Sequence, residues 1–336
     1  MNKNKVVIVT EANEKVATGH LMECVICAET LLDNGYYISF WINNDADVRL
    51  KTRIPCEYKE YKRNIEVDYD ELVAEINRIN PCAVILNLRE VSGEFVAKLK
   101  ALTKFKILCI DEYGHRYLPA DIIINPMIDP YYWQYEGEKI DLYCGAQYLV
   151  LSEKLERLHS MEKPINSNID NILISMGGVD PRDYTTILVN EIPQIFPNAS
   201  IDIILGGGYI NRQNIYNMAA GYNQVKIYEN VTTMPEMIFG TDLIICAGGN
   251  TLHEAACIGT PAIIMPSMPH EIRTAKYFEK SGFGYVVNTS SMLCENLAEC
   301  CDRINNSMIR KEMSHKGKQI SDGLGRKRII EILEKV

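Results

Sequence analysis

The sequence lacks any apolar stretch close to the roughly 18 residues that a membrane-spanning helix requires. No charged N-terminal region leads into an uninterrupted apolar run with a small-residue cleavage site, so a secretory signal is not expected. The net charge is -9, whereas a nucleic-acid-binding surface needs a basic face. We therefore expect a soluble, cytoplasmic protein with neither a transmembrane segment nor a nucleic-acid partner.

Paired metal ligands and the dinucleotide-binding fingerprint are also missing. The 11 cysteines are scattered, and the C-x-x-C pair of Cys24 and Cys27 lies in an apolar helical stretch without a second pair at zinc spacing. No aspartate pair at magnesium spacing lies beside a glycine loop. The pattern G-x-G-x-x-G does not follow the first strand, which argues against an NAD-dependent dehydrogenase. We expect neither a bound metal nor a cofactor.

The sequence does contain a regular alternation of short buried strands with amphipathic helices. In the first half the pattern predicts strands at 6–9, 37–42, 83–88, 106–110 and 121–124, and helices at 21–32, 69–79 and 94–102. After an interruption from 126 to about 170, it predicts strands at 172–175, 201–205, 225–227 and 242–246, and helices at 184–192 and 212–220. A chain of 336 residues is longer than one typical core, so two domains are expected.

The expected fold class is α/β, with two Rossmann-like parallel-sheet domains facing across a cleft. We predict an N-terminal domain at 1–155 and a C-terminal domain at 170–325. A last helix at 326–336 is able to cross back toward the first domain. Ligands of such folds bind at the carboxyl ends of the strands, which is where the motifs below fall.

The most informative segment is a glycine loop, AGGNTLHEAA at 247–256, which follows an apolar strand. Gly248 and Gly249 let the backbone turn sharply and approach a ligand, and a helix beginning near Thr251 directs its positive dipole end to the same place. Glu254, one turn into that helix, is placed to accept hydrogen bonds from a ribose diol. A tight strand-to-helix connection, in which Glu254 only complements the dipole, is the alternative interpretation.

The loop after the first strand brings His20 to the start of the first helix. The dipole of a helix favours the neutral imidazole that a general base needs. A histidine that merely caps the helix or packs at the end of the loop is the alternative. Asp111, at the end of a buried strand, is a candidate to orient His20, to contact a sugar or to cap a helix.

Two further glycine loops follow strands of the second half, Gly177-Gly178 and the three glycines at 206–208. The first is a candidate binding loop, although Asp180-Pro181 after it is equally explained by turn chemistry. The second lies in the same geometric position after its strand, and flexibility alone explains it equally well. His253 and His270 lie near the main glycine loop and are interpreted as surface or supporting residues, not as catalysts.

Six segments, in the same order, resemble those of GT-B-type nucleotide-sugar enzymes, in particular the UDP-sugar hydrolase of the pseudaminic acid pathway and the spore-coat polysaccharide glycosyltransferases. They are TGHLM at 18–22, IDE at 110–112, GAQYLVL at 145–151, MGGVDP at 176–181, YENVTTM at 228–234 and the glycine loop at 247–256. The resemblance covers about residues 6–287 and implies the GT-B fold and a nucleotide-sugar substrate. It also implies that the domain at 1–155 is the sugar or acceptor side and that the domain at 170–325 binds the nucleotide.

In this group the histidine that matches His20 is the base that activates water. The resemblance implies a substrate-binding set of Gly19, Asp111, Gly177, Gly178, Gly248, Gly249, Asn250, Thr251, Glu254, His270 and Glu271. The chain departs from the group at three places: Glu23 replaces a usual basic residue, Asn87 replaces an acid at a strand end, and His270-Glu271 replaces an Asn-Gln pair. Glu23, one turn after His20, is expected to place a carboxylate beside the imidazole.

The sequence thus predicts hydrolysis of a nucleotide-activated, UDP-linked amino or deoxy sugar for bacterial surface-sugar synthesis of the pseudaminic acid type, with His20 deprotonating water. Glycosyl transfer is an alternative, in which a sugar or lipid hydroxyl accepts the sugar for a cell-surface or spore-coat polysaccharide. Nucleotide-sugar binding without catalysis is a third, which Glu23 and Asn87 make plausible. The residues leave the oligomeric state undetermined.

Overall fold

The structure, a computed structural model, describes residues 5–12, 19–62, 65–66, 69–89, 91–102, 104–137 and 139–335. The chain divides into two compact units. Unit 1 consists of Met1–Ser152 with Leu324–Val336, and unit 2 is Glu153–Gly323. In the described part of the chain, no helix combines the length and the apolar character needed to cross a membrane.

Unit 1 is built on a seven-stranded sheet with the order β3-β2-β1-β4-β5-β7-β9, and every neighbouring pair is parallel. The strands are β1 Lys5–Thr10, β2 Tyr37–Asn43, β3 Tyr58–Tyr61, β4 Ala83–Asn87, β5 Lys106–Ile110, β6 Arg116–Tyr117, β7 Ile122–Asn125, β8 Tyr135–Glu136 and β9 Asp141–Cys144. The helices are α1 Gly19–Asp33, α2 Val48–Lys51, α3 Tyr69–Ile79, α4 Gly93–Ala101 and, at the end of the chain, α13 Gly325–Glu334. The two-residue strands β6 and β8 pair separately.

The two faces of this sheet have separate cores because side chains alternate along each strand. Val6 and Ile8 of β1 pack in one core with residues of α1 and α13, whereas Val7 and Val9 pack in the other with residues of α3 and α4. A parallel sheet covered on both faces has strands that are apolar at every position. The C-terminal helix α13 therefore belongs to the core of unit 1, although 171 residues of unit 2 precede it in the chain.

Unit 2 repeats the plan with a six-stranded parallel sheet in the order β12-β11-β10-β13-β14-β15. Its strands are β10 Asn171–Ser175, β11 Ser200–Leu205, β12 Val225–Glu229, β13 Leu243–Cys246, β14 Ala262–Ile264 and β15 Gly284–Val286. Its helices are α5 Glu153–Ser160, α6 Tyr184–Ile195, α7 Arg212–Ala219, α8 Met234–Gly240, α9 Asn250–Ile258, α10 Pro269–Lys280, α11 Leu293–Ile304 and α12 Ser307–Ile320.

The predicted strands and helices of both halves are confirmed, but several edge elements were not predicted. Strands β3 and β9 lie at the two edges of the first sheet and are largely exposed, so they produce no apolar run in the sequence. The interruption predicted at 126–170 is only partly irregular, because it contains β8, β9 and α5. Exposed edge strands and short helices are the elements that hydrophobic periodicity detects least.

A buried arginine holds unit 2 together near its start. Arg310 of α12 is 1% exposed, and its guanidinium donates to four backbone carbonyls, those of Ile304, Asn305, Asn166 and Ser167, at 2.6 to 3.0 Å. These bonds join the segment before β10 to the α11–α12 connection. A planar fork of five donors suits such a site because no acceptor is needed in return.

We predict that Arg310→Met destabilises unit 2, since the four carbonyls lose their buried donors while the methionine fills the space. The expected loss is about 3 kcal/mol, which lowers the melting temperature by roughly 6–12 °C for a unit of this size. Lys311→Met, at the exposed neighbouring position of the same helix, is the control and should melt like the wild type. Equal melting of both variants in differential scanning calorimetry would contradict the assigned role.

Candidate functional site

In unit 1, His20 and Asn87 meet at the carboxyl edge of the sheet. His20 is the second residue of α1, as predicted, and Asn87 ends β4, whose neighbour β1 leads toward α1. The Nδ1 atom of His20 lies 2.7 Å from Oδ1 of Asn87. The histidine is partly exposed, whereas the asparagine is 1% exposed. Thr18, the first residue of the predicted TGHLM segment, lies outside the described residues.

The expectation for Glu23 was wrong in two respects. Its side chain is 4% exposed and bonds to Asn87, whose Nδ2 donates to Oε2 of Glu23 at 3.0 Å. Burial, together with the nearby Glu112 carboxylate, holds the pKa of Glu23 well above its usual range. The uncharged acid is therefore favoured, and Glu23 approaches His20 through Asn87 instead of presenting a carboxylate to the imidazole.

Asp111 does not orient His20 and does not cap a helix, contrary to two of the roles considered for it. It is 2% exposed, and its carboxylate accepts hydrogen bonds from the Gly114 N–H at 3.0 Å, from the Tyr135 hydroxyl at 2.6 Å and from the guanidinium of Arg116. These bonds fix the turn after β5 and connect it to β6 and β8. Asn87 occupies the position beside His20 that Asp111 was expected to fill.

In unit 2, the glycine loop at 247–249 connects β13 to α9, but packing explains Gly248. A Cβ atom on Gly248 would lie 2.7 Å from Cβ and 2.8 Å from the carbonyl oxygen of Glu271. The same atom on Gly249 would meet only Oε1 of Glu271, at 3.5 Å, which is an ordinary contact. Gly248 therefore lets the first turn of α10 approach the loop, and only Gly249 and the residues after it remain available to a ligand.

The first turn of α9 is open. Its N-cap is Gly249, and no side chain caps it. The first N–H groups of a helix have no partner inside the helix, so this end offers donors as well as the positive end of the dipole. Asn250 is exposed and Thr251 is partly exposed at the same end.

Glu254 follows one turn later on the same helix. The side chain of Glu254 is partly buried, and among the described residues it has no hydrogen-bond partner. Burial raises the pKa of Glu254 to about 7. A partly buried carboxyl group without a protein partner is typical of a binding or catalytic position.

The Gly177-Gly178 loop is followed by α6, whose first turn, unlike that of α9, is capped by a side chain. Asp180 places its carboxylate at the start of α6, where it accepts from the N–H groups of Tyr184 at 3.1 Å and Thr185 at 2.8 Å. This helix end is thus already neutralised, as the turn-chemistry interpretation predicts. A Cβ on either glycine would meet nothing within 4 Å, so the loop itself is open.

His270 and Glu271 separate in the structure. His270 is exposed on α10. Glu271 is 8% exposed, and its Oε2 accepts from the N–H and hydroxyl of Ser267 at 2.8 and 3.1 Å and from the N–H of Met268 at 3.0 Å. Glu271 is therefore first a helix cap, which the predicted substrate-binding role did not include, and only its Oε1 is directed toward Gly249.

Two further predicted features are buried away from solvent. His253 is 6% exposed and packs edge-to-face on Phe278, and burial lowers its pKa to about 4, so it is a neutral core residue and not a surface one. Cys24 and Cys27 are buried free thiols on α1, and burial raises the pKa of Cys24 to about 12. Among the described residues, no three His, Cys, Asp or Glu side chains are grouped as a metal site would require.

The sequence did not indicate a cavity of about 420 Å³ in unit 2, beside α10 and β15. Apolar and cationic side chains share its lining, which includes Arg182, Met268, Ile272, Lys276 and Val286. Apart from Arg182, its lining residues lie within 266–290, in α10, β15 and the loops beside them, where the sequence has no glycine-loop motif. It contains none of the predicted substrate-binding residues.

Part of the chain matches a known family of protein domains. Residues 176–327, most of unit 2, match the glycosyltransferase family 28 C-terminal domain. The α/β architecture of two parallel-sheet domains is the GT-B fold, as predicted. The chain is accordingly similar to glycosyltransferase-like enzymes that use nucleotide sugars.

Individual proteins are similar to this chain over most of its length. The chain is 24% identical over 324 residues to the spore coat polysaccharide biosynthesis protein SpsG of Bacillus subtilis, a match that covers 94% of each chain. It is 26% identical over 275 residues to the protein MJ1062 of Methanocaldococcus jannaschii, which covers 78% of this chain but only 55% of that protein. The crystal structure of MurG from Acinetobacter baumannii superposes with a TM-score of 0.70 at 17% identity, over 99% of this chain and 100% of that one.

The close packing at Gly248 leads to a stability prediction. Gly248→Ala should lower the free energy of unfolding by about 2 kcal/mol, because the new methyl group overlaps the backbone of α10, and should lower the melting temperature by roughly 4–8 °C. Gly207→Ala, where a Cβ meets nothing within 4 Å, is the matched control and should change the melting temperature little. If Gly248→Ala melts like the control, then the loop and α10 are not in the contact described.

Proposed function

We propose that this protein is a glycosyltransferase that moves a sugar from a nucleoside diphosphate to a hydroxyl acceptor. The observation that supports the proposal best is the open N-terminus of α9 followed by Glu254, within the region that matches the family 28 domain. Asp180 and Glu271 neutralise two other turns at the carboxyl edge of the same sheet, whereas α9 has no such acid at its start.

In this proposal the diphosphate lies against the first turn of α9. The N–H groups after Gly249 donate to phosphate oxygens, and the helix dipole stabilises the charge that develops on the leaving nucleotide. The ionised Glu254 accepts hydrogen bonds from the ribose hydroxyls. The remaining oxygen of Glu271, Oε1, is placed to accept from a hydroxyl near Gly249. No metal is needed for this set of contacts.

Unit 1 supplies the base in this proposal. With Nδ1 of His20 engaged by Asn87, Nε2 is the atom that accepts the proton of the attacking hydroxyl. The bond from the anomeric carbon to the diphosphate oxygen breaks as the bond to the acceptor oxygen forms. The hydroxyl proton passes to Nε2, and the electron pair leaves with the diphosphate.

Hydrolysis, the reaction predicted first from the sequence, uses the same groups with water as the acceptor. The similarity to a family 28 domain favours transfer over hydrolysis. The name of the Bacillus relative refers to polysaccharide synthesis, which also favours transfer. We therefore propose a sugar hydroxyl of a growing surface polysaccharide, or of its lipid-linked precursor, as the acceptor. Release of free sugar without acceptor dependence would instead establish hydrolysis.

The reaction test uses a panel of UDP- and CMP-sugars, with and without sugar and lipid-linked acceptors. We expect nucleotide release that rises at least about tenfold with the correct acceptor, and mass spectrometry should show the sugar joined to it. His20→Asn should lower turnover by roughly a hundredfold or more while UDP affinity stays within a few fold. Binding without turnover for every donor and acceptor would leave only a nucleotide-sugar-binding role.

The raised pKa of Glu254 makes a separate prediction for donor binding. Only the ionised carboxylate accepts from both ribose hydroxyls, so the affinity for UDP-glucose should fall as the pH falls through about 7. Between pH 8 and pH 6 the ionised fraction falls roughly tenfold, and the dissociation constant should rise by about the same factor. UDP-glucose is the probe because its diphosphate is a diester and does not titrate in this range.

Isothermal calorimetry of Glu254→Gln should give weaker binding without this pH dependence. Glu299→Gln, an exposed change on α11, is the control and should keep the wild-type profile. A wild-type dissociation constant that is constant between pH 8 and pH 6 would mean that Glu254 does not contact the ribose.

A further inference from the structure

The amide of Asn87 connects two groups of α1 that lie three residues apart. Its Oδ1 faces Nδ1 of His20 at 2.7 Å, and its Nδ2 donates to Oε2 of Glu23 at 3.0 Å. The backbone carbonyl of His20 lies on the same side as Glu23, 3.5 Å from Nδ2. Residues three apart on a helix share a face, so α1 directs both side chains to one point at the end of β4.

This arrangement determines which way the amide points. The His20 carbonyl can only accept, and the carbonyl oxygen of the uncharged Glu23 accepts as well, so the NH₂ end of Asn87 faces both. The oxygen end then faces Nδ1 of His20, and an amide oxygen only accepts. Nδ1 must therefore carry the proton of the neutral ring, which leaves Nε2 with its lone pair.

We propose that Glu23 is a positioning residue: through Asn87 it selects the Nδ1–H tautomer of His20 and thereby leaves Nε2 free to accept a proton. The role in turnover rests on the proposed function, in which His20 is the base. The effect on the tautomer does not, because it follows from the hydrogen bonds within unit 1.

The surroundings of Glu23 indicate that it acts as an uncharged acceptor. The groups that face it are Asn87 from β4, Glu112 after β5, and Cys24 and Cys27 of its own helix. None of these is a cation, and burial together with the Glu112 carboxylate raises the pKa of Glu23. A neutral acid orients the amide without adding a buried negative charge beside Glu112.

The chemistry also explains why an asparagine serves at this position. An aspartate in place of Asn87 would accept from His20 Nδ1 unaided, but it would have no N–H group to donate to Glu23. An asparagine accepts equally well at Oδ1 and satisfies Glu23 at Nδ2. Glu23 and Asn87 therefore depend on each other. Both differ from the residues found at these positions in the group that the sequence resembles.

The test reads the tautomer of His20 directly by ¹³C and ¹⁵N NMR of histidine-labelled full-length protein near pH 9, where imidazoles are neutral, with His20→Asn identifying the signal among six histidines. We expect the Nδ1–H form in the wild type and in Glu23→Gln, which keeps a neutral acceptor. Glu23→Leu should shift the population toward Nε2–H. Glu29→Leu, at an exposed position of the same helix, is the control and should leave the tautomer unchanged.

Turnover supplies a second reading. Glu23→Leu should lower kcat about tenfold with KM within twofold, and Glu23→Gln should keep kcat within about twofold. The proposal is overturned by an Nε2–H wild type, by a Glu23→Leu tautomer like the wild type, or by loss of the Nδ1–H form in Glu23→Gln. The first and third outcomes remain decisive if Glu23→Leu does not fold. If the tautomers behave as expected but His20→Asn keeps full turnover, then the proposed base is wrong and the positioning role stands.

Discussion

Parallel strand pairing is the constraint on which the rest of the structure depends. Because all paired strands of the two main sheets are parallel, every strand of a sheet ends at the same edge. Residues far apart in the sequence are thereby brought together: Asn87 reaches His20 across 67 positions, and the loops after β10, β11 and β13 share one edge in unit 2. Parallel sheets must also be covered on both faces, which explains the runs of fully apolar strand residues.

Hydrogen-bond satisfaction separates the acids with a structural role from those available for chemistry. Asp111, Asp180 and Glu271 lie at strand ends or helix starts, where the motifs predicted ligand contacts, yet their oxygens accept from neighbouring N–H and O–H groups. Glu254 accepts from no described residue. Glu254 lies within the segment that the family 28 match covers.

Much of the fold could be predicted from the sequence because buried parallel strands are recorded in it as continuous apolar runs. The same runs located the α9 loop, which follows β13 directly, and His20, which begins the helix after the loop that follows β1. The contacts of individual side chains were not predictable, because they depend on partners from other strands. The role of Gly248 illustrates the difference: two adjacent glycines suggest a ligand, but one of them is required by Glu271, which is 23 positions away. Likewise, helical spacing places Glu23 beside His20, but its burial and its bond to Asn87 follow only from the packing of α1 against β4.

The choice between transfer and hydrolysis depends on the acceptor and not on the donor groups. An open helix end, a ribose-binding acid and a base serve both reactions, because the leaving group and the proton transfer are the same. What distinguishes a transferase is that an acceptor hydroxyl occupies the position of water, and a site that binds the acceptor lowers the entropy cost of bringing it there.

Specificity therefore has to come from the surface around Nε2 of His20. Unit 1 also has the aromatic ring of Tyr113 after β5, 39% exposed, with the guanidinium groups of Arg89 and Arg116 about 6 Å from its centre. Rings and guanidinium groups of this kind bind sugars and phosphates, whereas water needs neither.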